Sequence, residues 1–175
     1  MIAIPTCARG LGDIISSPES PLLLDGVRIE TGLPGQEDLG WIQDAFRKRP
    51  GCFGPATERT TEVAATVSHT GVIKAFHFQL AQDDLCAPIR GTFQLALADL
   101  RPHSPTFGRK NTLYLGEHAP WRVLIPPGVA YGYRVVSPEW GVLVRATESD
   151  CQPSALGCLP HDHPGLAYDW SAELH

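Results

Sequence analysis

From Glu62 onward the chain settles into runs rich in Val, Phe, Leu and Thr. Gly, Pro, Asn or Asp interrupts them roughly every eight to twelve residues, the rhythm of an antiparallel sandwich or barrel. The runs predict strands over 62–67, 71–79, 88–98, 111–115, 121–125, 132–135 and 142–147. In a strand side chains alternate between faces, so Phe76 and Phe78 fall on one side and Ala75, His77 and Gln79 on the other. The stretch TFQLALADL, 92–100, does not alternate strictly, which predicts a strand covered on both faces, by a second sheet or by a partner subunit. Upstream, Leu22, Leu23 and Leu24 lead through Asp25 and Gly26 into Val27, Arg28, Ile29 and Glu30, an expected edge hairpin. Between 38 and 49, Trp41, Ile42, Ala45 and Phe46 carry near-helical spacing before Pro50, predicting one short helix.

Composition agrees with this all-β pattern. The 175 residues hold 16 Pro and 17 Gly spread along the chain, so turns are frequent and long helices disfavoured. That length suits a single domain, 1–175, able to bury roughly two thirds of the surface its unfolded chain exposes. The formal charge of -5 and pI near 5.7 argue against nucleic-acid binding, which needs a basic face. Cys7, Cys52, Cys86, Cys151 and Cys158 show neither CxxC nor zinc-ligand spacing, which fits reduced thiols and a cytoplasmic protein. No basic start precedes an apolar core, and no apolar run approaches the ~18 residues of a membrane span, so neither secretion nor membrane association is expected.

The chemistry centres on His77. A strand histidine pointing into a barrel can act as a base, because its ordinary pKa near 6.5 leaves much of it neutral at physiological pH. Ala75, His77 and Gln79 together read as a small residue and two polar groups lining a ligand cavity; the plainer alternative is a buried histidine satisfied by a backbone carbonyl. Gln79 stands where a His-x-His metal pair would need its second histidine. His161, Asp162 and His163 have spacing compatible with metal ligands, although such tail clusters are more often solvent-exposed. Pro126, Pro127 and Gly128 predict a turn that returns Tyr131 and Tyr133 over the barrel mouth, as proton donors or as structural phenols.

Three segments, IKAFHFQ (73–79), DLRPHSPTFG (99–108) and IPPGVAYGY (125–133), occur in an order and at separations that resemble the dTDP-4-dehydrorhamnose 3,5-epimerases. That family's pattern runs roughly LRGLHYQ, DLRxxSPTFG and IPxGFAHGF. The resemblance spans roughly 37–170 and implies a cupin-like jelly-roll barrel (double-stranded β-helix) with a few short peripheral helices. It also implies a homodimer in which N-terminal strands, within 1–36, are exchanged, with neither metal nor cofactor. The implied chemistry is removal of a proton beside the ketone of a nucleotide-linked 4-keto-6-deoxysugar, followed by reprotonation from the opposite face.

Residue by residue, the implied base is His77, and the motif's arginine becomes Lys74. The family's lysine falls on Asp84, its motif aspartate on Leu95, its second histidine on Tyr131, and its tyrosine acid on Val144, ahead of Arg145. Tyr131 or Tyr133 is the expected replacement acid. HDHPGLAYDW, 161–170, resembles a segment whose aspartate pairs with the base; His163 aligns there, with Asp162 beside it. EDLGWIQD, 37–44, resembles a nucleotide-binding segment, with Leu39 for its arginine and Asp44 for its glutamate. The expected substrate-binding set is therefore Lys74, Gln79, Glu62, Asp44 and Arg145. These replacements make the standard double epimerisation a poor expectation. They leave two alternatives: a jelly-roll module that binds without catalysis, and a different reaction on a non-nucleotide substrate.

Overall fold

The computed structural model describes residues 2–31, 35–37, 40–42, 61–148 and 156–172. Their strands are β1 (Asp13–Ile15), β2 (Arg28–Thr31), β3 (Gly35–Glu37), β4 (Gly40–Ile42), β5 (Thr61–Ser68), β6 (Ile73–Gln79), β7 (Asp84–Arg90), β8 (Phe93–Asp99), β9 (Lys110–Leu115), β10 (Trp121–Ile125), β11 (Val129–Val135), β12 (Gly141–Glu148) and β13 (Leu156–Cys158). One sheet runs β1-β9-β8-β11-β6-β13 and the other β2-β10-β7-β12-β5, with β3 and β4 forming a separate ribbon. This is the cupin-like jelly roll.

Inward side chains of both sheets meet in one core, in which Phe93, Leu95 and Leu97 of β8 pack with Val123 and Ile125 of β10 and Leu143 of β12. The opposite face of β8 is also buried. Ala96 and Ala98 join Phe76, Phe78, Leu166, Tyr168 and Trp170 in a second cluster. The double coverage expected for 92–100 therefore comes from the opposing sheet on one side and the chain's own C-terminal segment on the other.

A buried ammonium ties this outer layer down. Lys110 Nζ donates to the carbonyls of Ala8 and Gly10 at 2.8 and 2.9 Å, and of Leu166 and Ala167 at 2.8 and 3.1 Å. Tyr168 Oη bonds Thr112 Oγ1 at 2.7 Å and accepts from Gln94 Nε2 at 3.1 Å. Burial, against those bonds, pushes its phenol up to about 12.

The three sequence motifs converge at one junction. Asp99, fully buried, accepts at Oδ1 from the backbone N and Nε of Arg101. At Oδ2 it accepts from the Arg101 guanidinium, Ser104 Oγ and Thr106 Oγ1 at 2.8, 2.5 and 2.6 Å. Gly108 closes the loop at φ 76°, the left-handed conformation expected of it. Gly128 N donates to Gln79 O, Leu100 N donates to Gly128 O, and the Arg101 stem covers Gly128 so closely that a Cβ there would sit 2.5 Å from Arg101 Cγ. DLRPHSPTFG is thus a brace between β8 and the 125–133 turn.

Several local expectations need correction. The run expected over 88–98 is two strands, β7 and β8, because Gly91 takes φ 79° and turns the chain. Leu22 to Leu24 do not form the first arm of a hairpin: 28–31 is a strand, but its partner is β10, with Glu30 opposite Arg122 and ion-paired to it. Gly40–Ile42, inside the expected helix, pairs as a strand with Gly35–Glu37; residues 43–49 lie outside the described set. The peripheral helices implied by the resemblance are not found among the described residues. No helix there is long and apolar enough to cross a membrane.

Candidate active site

The site lies between the sheets, in a cavity of about 160 Å³ lined from β6 by Lys74 and His77 and from β11 by Tyr131 and Tyr133. Its other wall carries Ala64 and Thr66 of β5, Cys86 of β7, and Leu143 and Arg145 of β12. Strict alternation would send Lys74 and His77 to opposite faces. The β6–β11 register prevents this: Tyr131 stands opposite His77 and Tyr133 opposite Lys74, so two steps on β11 match three on β6. The extra residue makes a bulge, which re-aims a side chain at the cost of one ladder position. Gly132 gives it room, since a Cβ there would collide with that of Ala75.

The bulge corrects the expected cavity face. Ala75 packs instead in the outer cluster with Phe76 and Phe78. Gln79 is buried and bonded to the Asp84 side chain, behind the cavity rather than in its lining.

His77 is exposed at the cavity mouth. Partial loss of water around the ring, then the positive charge of Arg145, hold its imidazole below the usual histidine value. Asp84 pulls the other way and Lys74 adds a further downward push. The neutral, proton-accepting form therefore persists to lower pH than in a free histidine.

Behind the ring lies a polar cluster. Asp84 is 2% exposed; burial raises its carboxyl, opposed by the Arg145 charge and by side-chain hydrogen bonds with Tyr131, Thr147 and Gln79. Among the described residues its Oδ1 has no hydrogen-bond partner. Arg145 donates from a terminal guanidinium nitrogen to Tyr131 Oη at 3.4 Å. Burial first, then Cys86 and Asp84, push the Tyr131 phenol well up, while Arg145 opposes them. Tyr133 is raised chiefly by burial, and its Oη shares a hydrogen bond with Ser68 Oγ at 3.1 Å. Both phenols thus keep their protons at ordinary pH and can donate them, while His77 can accept one.

Of the residues singled out from sequence, Lys74, His77, Tyr131, Tyr133 and Arg145 come together. Glu62 is exposed on β5, at the same parity as Ala64 and Thr66. Asp44 lies outside the described residues. Asp162 and His163 occupy the turn after β13, where His163 Nδ1 accepts from Gly165 N; neither lines the cavity. Val144, where the resemblance expects a tyrosine, is also not in the lining. Thr66, Cys86 and Leu143 escaped sequence reading, although the parity of TEVAATVS and GVLVRATE carries Thr66 and Leu143 once one neighbour is placed.

The fold is a cupin-like jelly roll, and the cavity between its sheets brings His77, two phenols and two cations together. The sequence profile of the dTDP-4-dehydrorhamnose 3,5-epimerases matches residues 22–175, and the chain belongs to that family, one of dTDP-sugar epimerases. It is 31% identical over 154 residues to the spore coat polysaccharide biosynthesis protein SpsL of Bacillus subtilis (strain 168), covering 87% of this chain and 99% of that protein. It is 28% identical over 113 residues to the probable low-salt glycan biosynthesis epimerase Agl13 of Haloferax volcanii, covering 63% and 72%. Among solved structures it superposes on a dTDP sugar isomerase from Desulfovibrio desulfuricans G20 with TM-score 0.78 and 22% identity, covering 86% of this chain and 95% of that one. NovW, a 4-keto-6-deoxy sugar epimerase from Streptomyces spheroides, superposes with TM-score 0.72 and 23% identity, covering 87% and 78%. These superpositions attest the shared fold.

Proposed function

We propose that this protein epimerises a carbon beside the ketone of a dTDP-linked 4-keto-6-deoxyhexose, with His77 as base. The supporting observation is a proton acceptor held below its usual pKa in one cavity with two protonated phenols and two cations. Neutral His77 takes the proton from the carbon, the C–H electron pair becomes the enolate double bond, and the ketone oxygen carries the charge. Tyr131 or Tyr133 returns a proton to the carbon. At about 160 Å³ the cavity is smaller than the ~300–1,000 Å³ typical for drug-sized ligands, so it takes the sugar ring and leaves the nucleotide outside. Lys74, Arg145 and, at the rim, Glu62 are the substrate contacts of this reading. Gln79 contributes through Asp84, and Asp44 is its nucleotide-side candidate.

The same reading makes the protein a metal-independent cytoplasmic homodimer covering its sheet edges with N-terminal strands. Sedimentation as a monomer at micromolar concentration would contradict that part. The reaction itself is tested in D₂O: the wild type incorporates deuterium beside the ketone, and His77→Asn stops it. Absence of exchange across a panel of nucleotide keto sugars sinks the proposal.

A second reading, a binding module without turnover, is favoured by one observation. Among the described residues no carboxylate hydrogen-bonds His77, and Asp162 and His163 stand outside the cavity lining. It predicts thermal stabilisation by dTDP-sugars with no exchange, and unchanged affinity in His77→Asn. Binding of a neutral small molecule but not dTDP would instead point to a non-nucleotide substrate.

A further inference from the structure

We infer that Arg145 is the catalytic residue that holds the ketone oxygen as it becomes an enolate, with Asp84 positioning it. This rests on the epimerase reading above and assigns one group within it. Abstraction of a proton beside a ketone moves an electron pair onto the carbonyl oxygen, and a buried oxyanion without a donor is a poor intermediate. Two cations line the cavity, Lys74 and Arg145. Arg145 is the better placed of the two for this work. It comes from the wall opposite β6, so an oxygen bound to it leaves the neighbouring carbon facing His77. Both cations are partly buried, where a charge acts through less water than in bulk solvent, and Arg145 has Cys86 and Asp84 beside it on its own sheet.

Its donors are also unspent. A guanidinium carries five N–H groups, and among the described residues Arg145 makes one hydrogen bond, to Tyr131 Oη at 3.4 Å. Burial works to lower its pKa, but Tyr131, Asp84 and Cys86 outweigh it and the net shift is upward, which keeps it charged. Asp84 is anchored next to it: Arg145 pairs with Cys86 in the β7–β12 register and Thr147 with Asp84, so the carboxyl sits one alternation along the same face. Gln79, Thr147 and Tyr131 bind that carboxyl, and its charge acts on Arg145. The reaction balances without a redox partner. One C–H bond breaks to His77, the oxygen gains and then loses negative charge, and a new C–H bond forms from a phenol.

The test compares wild type, Arg145→Gln and Arg145→Lys, with a dTDP-linked 4-keto-6-deoxyhexose as probe in D₂O. Removing an oxyanion donor lowers kcat by about 10²–10³ in typical cases, so Arg145→Gln loses that much with KM within about threefold of wild type. Arg145→Lys recovers at least about tenfold of the loss, and Asp84→Asn lowers kcat by less than Arg145→Gln. A kcat within about threefold of wild type in Arg145→Gln, or a loss confined to KM, overturns the assignment. Circular dichroism screens folding; if the glutamine variant is unfolded, the kcat-against-KM split in Arg145→Lys decides. Affinity for the probe relative to the dTDP-sugar bearing a C4 hydroxyl supplies a readout without turnover. The wild type favours the ketone by about threefold, within the KM change expected above, and Arg145→Gln loses the preference. Exchange missing in the wild type with that preference intact overturns the epimerase reading alone; equal binding of both ligands by wild type overturns the role of Arg145.

Discussion

Tyr131 stands directly opposite His77 in the β6–β11 pair, with ring centroids 6.4 Å apart and planes inclined by 57°. In the proposed reaction the proton acceptor and one candidate donor are thus carried by adjacent strands of one sheet. Their separation is set by backbone pairing rather than by mobile side-chain loops.

The pH profile follows from the charges around His77. Its pKa lies below the usual 6.5, so the acid limb of kcat/KM for exchange has its midpoint below that value. Arg145 and Lys74 both lower it, so Lys74→Met and Arg145→Gln move the limb to higher pH, while Asp84→Asn moves it lower. A wild-type limb at or above 6.5, or a limb unmoved in all three variants, refutes the electrostatic account.

Asp99→Ala removes the acceptor of the DLRPHSPTFG brace and leaves Arg101 without its buried partner, an expected loss of about 3–5 kcal/mol in urea unfolding. Burial raises the Asp99 carboxyl, but the bonds from Arg101, Ser104 and Thr106 outweigh it and the net shift is downward. The wild-type contribution is therefore full above the unfolded value of about 3.9 and is lost as pH falls through the lower folded value. An alanine variant as stable as wild type at pH 7 contradicts this role.

Gly132→Ala drives a methyl into Ala75 and overpacks the bulge, with an expected cost of about 1–3 kcal/mol. Since the bulge aims Lys74 and His77 together, exchange activity falls more than tenfold, a larger loss than stability alone implies. Adding Ala75→Gly restores much of both. Additive damage in the double variant, measured as a double-mutant cycle, would show that the contact is not the cause.

Lys110→Met deletes the ammonium that bonds Ala8, Gly10, Leu166 and Ala167 and leaves those carbonyls without it, an expected loss of about 3–5 kcal/mol. Limited proteolysis reads it locally: cleavage within residues 2–12 accelerates before the barrel itself is cut. Equal cleavage rates in both proteins would discount the tether.

The barrel was legible because its causes are local. From Glu62 onward runs rich in Val, Phe, Leu and Thr are punctuated by turn residues, and most of the resulting strands fall close to expectation. The errors arose where one residue decides. Gly91 splits the single strand expected over 88–98 at positive φ, and Trp41 and Ile42 carry helical spacing yet pair in a ribbon. At the site, the resemblance singled out His77, while Asp84, Leu95 and Val144 occupy positions where it expects a lysine, an aspartate and a tyrosine. Arg145, already among the expected substrate contacts, supplies a cation from the neighbouring strand, and the β7–β12 register sets it opposite Cys86 and one alternation from Asp84. The most recognisable motif, DLRPHSPTFG, braces a turn through Asp99 and contributes no cavity residue.

The bulge in β6 has an evolutionary corollary. Because Lys74 and His77 stand three residues apart and share the cavity only through the bulge, straightening the ladder with the same letters would turn one of the two outward, whereas removing one residue between them would leave both inward at a spacing of two. A cavity group is therefore gained or lost with the bulge itself, every letter of the strand intact, and a comparison that scores identities alone passes over the change.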